Sequence, residues 1–232
     1  ALPIYRAIGD KLGEANCIQS LGDVFKEEKA FALALQKYEQ ATDLYRFISP
    51  SNEAYGFNAI ADLYDEQKDY PKAIAAYTRA LELFPEHVFI WRNRAYQYLK
   101  LKDELNASQD IEQAARLQPD NAYLFLRRGQ LALLRDEYDE ALAHFQAALE
   151  RYPRMNDAYF GIGLAHLRAG RPIEAREAYQ QGLDLTHSAS ELDDPRDALA
   201  ELRQSEPNLA GLEEIWKLVN EADIRKRQGT DS

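Results

Sequence analysis

Three prolines, Pro85, Pro119 and Pro153, stand 34 residues apart. They mark three consecutive stretches, 54–87, 88–121 and 122–155, that carry the same residue classes at the same offsets. The first has Phe57, Ile60, Ala61, Tyr64, Ala73, Tyr77 and Ala80. The second has Trp91, Ala95, Tyr98, Ala107, Ile111 and Ala114, and the third Phe125, Gly129, Ala132, Ala141, Phe145 and Ala148. A period this long is too large for one helix face or one strand face. It is a repeated supersecondary unit that buries its apolar side only against its neighbours. Alanine and leucine outweigh valine and isoleucine, which favours helix over strand, and the prolines fall mostly where helices would begin or end.

An aromatic, a small residue and an aromatic, followed by Ala, Phe or Tyr, Ala and Pro, form the pattern of the tetratricopeptide repeat (TPR), which this spacing resembles. The resemblance implies an all-α fold: a right-handed superhelical solenoid of antiparallel helix pairs. Carried outward in phase, it gives a partial repeat over 1–14, then repeats over 15–53, 54–87, 88–121, 122–155 and 156–189. In the first of these Arg46 stands where proline is expected, and the Ser49–Asn52 cluster reads as a turn and helix start. In the last, Gly182 replaces the packing alanine and His187 the proline. The IGDKLGEAN phrase resembles the connector of a longer repeat variant common in bacterial signalling proteins. Ala1 falls inside a repeat, so the chain is expected to be a segment of a longer bacterial protein, placed in the cytoplasm.

Residues 190–225 lack the signature and read as C-terminal capping helices, one beginning at Pro195 behind Asp193 or Asp194 and one over 207–225. On the second, Leu212, Ile215, Trp216 and Val219 share one face. That face is expected either to cap the array or to serve as an oligomer contact. Residues 226–232 read as a flexible tail.

Charge and composition narrow the function. A net charge of −11 argues against a general nucleic-acid or anionic-membrane binder. No apolar run is long enough for a membrane span. The single Cys17 excludes an intrachain disulfide and is expected to be a small buried apolar residue. His87, His144, His166 and His187 are scattered without metal-ligand spacing, and His166 is expected to be a packed core residue. The glycines at Gly161 and Gly163 follow no strand and form no nucleotide loop. No catalytic residues, metal or cofactor are expected.

Function is therefore sought on the surface that the fold creates. The resemblance implies that first-helix positions 2, 5, 6, 9, 12 and 13 of each repeat line a concave groove. These positions here include Tyr55, Asn58, Asp62, Phe89, Arg92, Asn93, Tyr96, Tyr123, Arg127 and Phe160, taken as a groove for a peptide or helix of a partner protein. Asn16, Gln19, Asp23, Leu126, Gln130 and Arg168 fall at equivalent positions. The early repeats are polar and acidic, the later ones basic and aromatic. One TPR subclass clamps a C-terminal carboxylate; Asn93 and Arg127 fit that clamp, but Asn58, Asp62 and Tyr123 do not, and Asp62 repels a carboxylate. The alternative reading is a self-association or autoinhibitory module acting through the C-terminal amphipathic helix. Arg94 and Arg128 stand where the pattern wants leucine, and Asp110 is the expected buried partner of one or both.

Overall fold

The computed structural model describes residues 1–229. Among them the regular structure is entirely helical. The chain divides into two compact units, Ala1–Pro119 and Asp120–Ser232. Unit 1 begins with α1 (Leu2–Ile8). Three antiparallel helix pairs follow: α2 (Lys11–Glu27) with α3 (Phe31–Arg46), α4 (Pro50–Glu66) with α5 (Tyr70–Leu83), and α6 (Val88–Lys100) with α7 (Glu104–Leu117). Unit 2 has two such pairs: α8 (Ala122–Leu134) with α9 (Tyr138–Arg151), and α10 (Asn156–Arg168) with α11 (Pro172–Leu185). A 3-10 turn (Ala189–Leu192), α12 (Asp193–Ser205) and α13 (Leu212–Gln228) complete it.

The helix boundaries follow local chemistry. Asp10 and Ser49 accept hydrogen bonds from the Gly13 and Asn52 amides, so α2 and α4 start four residues ahead of residues 15 and 54. Asp69 and Asp103 cap α5 and α7 in the same way. α12 starts at Asp193, ahead of the expected Pro195, because Ser188 and Glu191 form a capping box that launches a turn running straight into the helix. α13 starts at Leu212, later than expected, behind a left-handed Gly211 with φ of 82°. It then continues to Gln228, so residues 226–228 of the expected tail are helical. Their basic side chains face the negative helix end, and Arg227 pairs with Asp223 and Asp193. Residues 230–232 of that tail lie outside the described residues.

The turn within each repeat is one device used five times. Lys29, Lys68, Lys102, Asp136 and Gly170 occupy the same repeat position and all have φ between 57° and 73°. In each case the next amide reaches back to a carbonyl five residues earlier: Ala30 to Phe25 (2.8 Å), and 2.9 Å for Asp69 to Tyr64, Asp103 to Tyr98, Glu137 to Ala132 and Arg171 to His166. This is a Schellman closure, which satisfies carbonyls that a helix end leaves open. Only the last of the five positions is glycine, so the hydrogen bonds hold the other four in a left-handed conformation that side chains disfavour.

Packing rests on a small residue of the first helix facing a large one of the second. Tyr38, Tyr77, Phe145 and Tyr179 are almost fully buried. A Cβ at Gly22 would lie 2.6 Å from the Tyr38 ring, and one at Gly129 2.5 Å from the Phe145 ring. The glycines let helix and ring meet. Cys17 is only partly buried, because the ring-facing surface of α2 is occupied by Ala15, Ile18 and Gly22.

One polar link crosses this apolar packing. Asp110 on α7 accepts two hydrogen bonds from Arg94 on α6, Nε and Nη2 each at 2.8 Å. Their side chains are 4% and 13% exposed. Arg94 also donates to Thr78 on α5 and lies over Trp91 and Tyr98. The leucine-to-arginine departure is thus a bidentate bridge within unit 1 that ties three helices together. Asp110→Ala strands the Arg94 charge and is expected to cost about 3 kcal/mol in urea unfolding, whereas the Arg94→Leu/Asp110→Leu double variant recovers most of it.

Candidate functional site

The first-helix face of unit 1 is built by α2, α4 and α6. Counting each repeat from residues 15, 54, 88, 122 and 156, position 9 is Asp23 in the first and Asp62 in the second. Each is held by the buried tyrosine fifteen residues on. The Tyr38 hydroxyl donates to Asp23 Oδ1 at 2.8 Å, and the Tyr77 hydroxyl to Asp62 Oδ1 at 2.5 Å. Tyr45 donates likewise to Asn16 Oδ1 at 2.7 Å. Asn58 donates to Asp62 Oδ2 at 3.0 Å, and Asn93 also reaches the Tyr77 hydroxyl. Burial pushes the Asp62 carboxyl above its ordinary range, against the pull of its Tyr77 and Asn58 hydrogen bonds. Burial, reinforced by the carboxylates, holds Tyr38 and Tyr77 as neutral donors.

Asn16, Asp23, Tyr38, Tyr45, Asn58 and Asp62 line a recess of about 340 Å³ between α2 and α4. Its wall includes Gln19, whose Oε1 is buried and has no donor among the described residues. Tyr55 borders it and leads into a ring cluster. The His87 ring lies 5.3 Å from both Tyr55 and Phe84 and 5.8 Å from Phe89. The Arg92 guanidinium lies 4.8 Å from the Phe89 ring and hydrogen-bonds Asn93. Tyr55 and Phe89 are 48% and 52% exposed, large apolar surface left to solvent on a polar face. Beyond them Lys100 lies over the Tyr96 ring at 5.1 Å.

Unit 2 presents a different face. Tyr123 is exposed, and Arg127 donates to Gln130 at 2.8 Å. Two expected groove residues turn inward instead. Leu126 is fully buried, and Phe160 is 5% exposed with its ring 5.8 Å from Tyr179. The reason lies on α11. A Cβ at Gly182 would come within 2.6 Å of the Phe160 ring, so glycine in place of the packing alanine opens the space that Phe160 fills. Phe160 belongs to the core of unit 2 and is not a groove residue. His166 is partly buried.

Leu212, Ile215 and Val219 of α13 are buried in the same core as Leu167, Leu192 and Leu199. Trp216 is partly buried, with Arg203 stacked 4.8 Å from its ring and held by Glu213. The apolar face of α13 is thus covered by its own chain, and those three residues are not available as an oligomer contact.

Family models described as tetratricopeptide repeat match residues 54–87, 106–153 and 126–190. The chain belongs to the tetratricopeptide repeat family. It is 26% identical over 201 residues to anaphase-promoting complex subunit 3 of Schizosaccharomyces pombe, covering 82% of this chain and 30% of that protein. It is also 26% identical over 131 residues to the small glutamine-rich tetratricopeptide repeat-containing protein 2 of Saccharomyces cerevisiae, covering 56% of this chain and 38% of that one. It therefore spans about a third of these curated relatives. In fold it matches the Cut9-Hcn1 hetero-tetramer of the APC/C (TM-score 0.66, 18% identity, 88% of this chain and 42% of that one). It also matches a tetratricopeptide repeat protein from Parabacteroides merdae (TM-score 0.65, 19% identity, 93% and 88%). The TPR fold is generally a scaffold for protein interaction. Among the described residues no helix is long and apolar enough to cross a membrane.

The tyrosine–aspartate pairs of this TPR chain were not expected. Their signal was present as Asp at position 9 with Tyr fifteen residues later, found in the repeats at 15 and 54 and absent where that residue is Ile111 or Phe145.

His87 titrates below its ordinary value of 6.5, first because of burial and then because of Arg92. His166 is lowered for the same reason, with Arg171 adding to it. On acidification the unfolded chain binds these protons before the folded one, so stability falls as pH drops through about 6.5. Melting curves between pH ~7.5 and ~5.5 are expected to show this fall, and His87→Gln to reduce it.

Proposed function

We propose that this chain is a non-catalytic scaffold that holds an extended peptide or a helix of a partner protein on its first-helix faces. The observation that carries this reading is the exposed Tyr55 and Phe89 pair on α4 and α6, flanked by Arg92 and by the polar recess. Aromatic rings supply large contact area at small entropic cost, and arginine beside them adds directional hydrogen bonding, the composition that interface hot spots favour. The ring cluster is braced through His87, so little ordering is needed on binding. Tyr96, Tyr123 and Arg127 extend the same surface chemistry within their own units. The name of one relative supports the reading, since it is a subunit of the anaphase-promoting complex.

The test is a peptide selection on the full chain, with the bound peptide mapped by amide shifts. Peptides are expected to perturb α4 and α6, and Phe89→Ala with Arg92→Ala to weaken them by about thirtyfold, the effect of losing one hot spot. Peptides that perturb only second-helix faces or α13 and keep their affinity in that variant overturn the proposal.

A further inference from the structure

We infer that the recess between α2 and α4 is a receptor pocket for an arginine side chain of the partner segment. The inference rests on the proposed reading that a peptide lies on this face, and it adds the chemistry of one residue of that peptide.

The recess sets two carboxylates against one ammonium, among the side-chain amides of Asn16, Gln19, Asn52 and Asn58. Its protein donors come from behind, from the second helices and from within the wall. Tyr38 and Tyr77 each occupy one carboxylate oxygen, of Asp23 and Asp62, and Tyr45 occupies the Asn16 carbonyl. Asn58 occupies the other Asp62 oxygen. Asp23 Oδ2 accepts no hydrogen bond among the described residues, and Gln19 Oε1 is buried without a donor. An aspartate and an amide carbonyl thus remain as open acceptors, and a carboxylate oxygen has further lone pairs to share. Such acceptors are costly to cover with an apolar side chain, because burying them unpaired forfeits their hydration. A ligand carboxylate meets two fixed negative charges and is rejected.

What fits is a cation with several donors. Two aspartates face one lysine, Lys26, in the wall, so the pocket keeps an excess of negative charge. Guanidinium brings five N–H donors and no acceptor, and its plane matches carboxylate geometry in a way that ammonium does not. The exposed Tyr55 ring at the rim provides a face on which guanidinium can stack. About 340 Å³ corresponds to roughly ten water volumes, room for a guanidinium with some of its hydration. A metal ion is not the occupant the residues suggest, since no group of three His, Cys, Asp or Glu suited to one exists among the described residues.

The tyrosines give the pocket its rigidity. Their rings are anchored in the core, so the carboxylates are oriented before the ligand arrives. The other three complete repeats have Tyr96, Gln130 and Leu164 at position 9 and no carboxylate, the last despite a buried Tyr179. The cation chemistry is therefore confined to the first two complete repeats.

The experiment is an NMR titration of the full chain with N-acetyl-arginine amide, run beside the norleucine and glutamate analogues. The side-chain amides of Asn16, Gln19 and Asn58 are expected to shift saturably and selectively with the arginine probe. Asp23→Asn and Asp62→Asn each keep the tyrosine's acceptor, and each is expected to weaken the probe about tenfold or more. Should Asp62→Asn not fold, Asp23→Asn, whose carboxylate has the fewer partners, carries the comparison. Absence of arginine-selective shifts up to tens of millimolar, or unchanged affinity in Asp23→Asn, overturns the pocket. Phe89 and Arg92 are not part of this recess. A selected peptide that depends on those two but ignores Asp23→Asn therefore removes the pocket and leaves the groove reading standing. A peptide bound elsewhere removes the groove reading, while the free probe still reports on the pocket.

Discussion

Each repeat depends on the approach of a small residue on its first helix to a large one on its second. Glycine stands at Gly22, Gly129 and Gly163 where the opposing ring sits within van der Waals distance of the helix, and alanine at Ala61 and Ala95 elsewhere. This contact sets the separation of the two helices and so the place of everything on the outer face. It has a chemical consequence as well. In the first two complete repeats a phenol buried across the pair extends its hydroxyl toward the first-helix face, and that hydroxyl takes an acceptor there. Asp23 and Asp62 are those acceptors. Where the opposing residue is Ile111 or Phe145 there is no hydroxyl to satisfy, and position 9 is free to be Tyr96 or Gln130. In the last repeat Tyr179 is equally buried but position 9 is Leu164, so this coupling of core and surface belongs to the first two complete repeats.

The same coupling explains why one expected surface residue is internal. Position 5 of the repeat carries Gln19, Asn58 and Arg92 in unit 1, all with some exposure, but Leu126 and Phe160 in unit 2, both buried. Two factors act together at Phe160. The side chain is apolar, and Gly182 leaves a space in the opposite helix that an alanine would have filled. Burial of a phenylalanine releases a few kcal/mol of hydrophobic free energy, more than enough to choose the inward orientation. The degraded end of the last repeat thus changes packing without breaking the stack, and α12 and α13 then cover it with Leu199, Leu212, Ile215 and Val219.

Polar groups inside a stack of this kind carry a risk, because an unpaired charge costs more than an apolar residue contributes. Arg94 meets it with a planar two-point pair to Asp110, a third bond to Thr78 and two aromatic neighbours. The arrangement adds direction to a contact that apolar packing alone leaves loosely specified.

Much of this was legible in the residues. The 34-residue phase located the helix pairs, because small and aromatic residues must recur wherever identical packing recurs. The Arg94–Asp110 bridge was legible because a buried charge demands a partner within reach. The proline and Ser49 signals marked helix starts, since capping is local chemistry, whereas the Asp10 cap that starts α2 ahead of residue 15 emerged only in the structure. Tertiary structure decided the rest. Which way a position-5 side chain points depends on the volume left by a residue more than twenty positions away. The left-handed lysines at Lys29, Lys68 and Lys102 look like ordinary helix formers in sequence, and only the Schellman closures of the folded turn hold them there. The recess between α2 and α4 arises from tyrosines that read simply as core. The sequence by itself determined the repeat and its local caps, because these depend on neighbours in the chain. The folded molecule determined which polar groups meet in the recess and which rings remain outside, because those depend on distances that only packing creates.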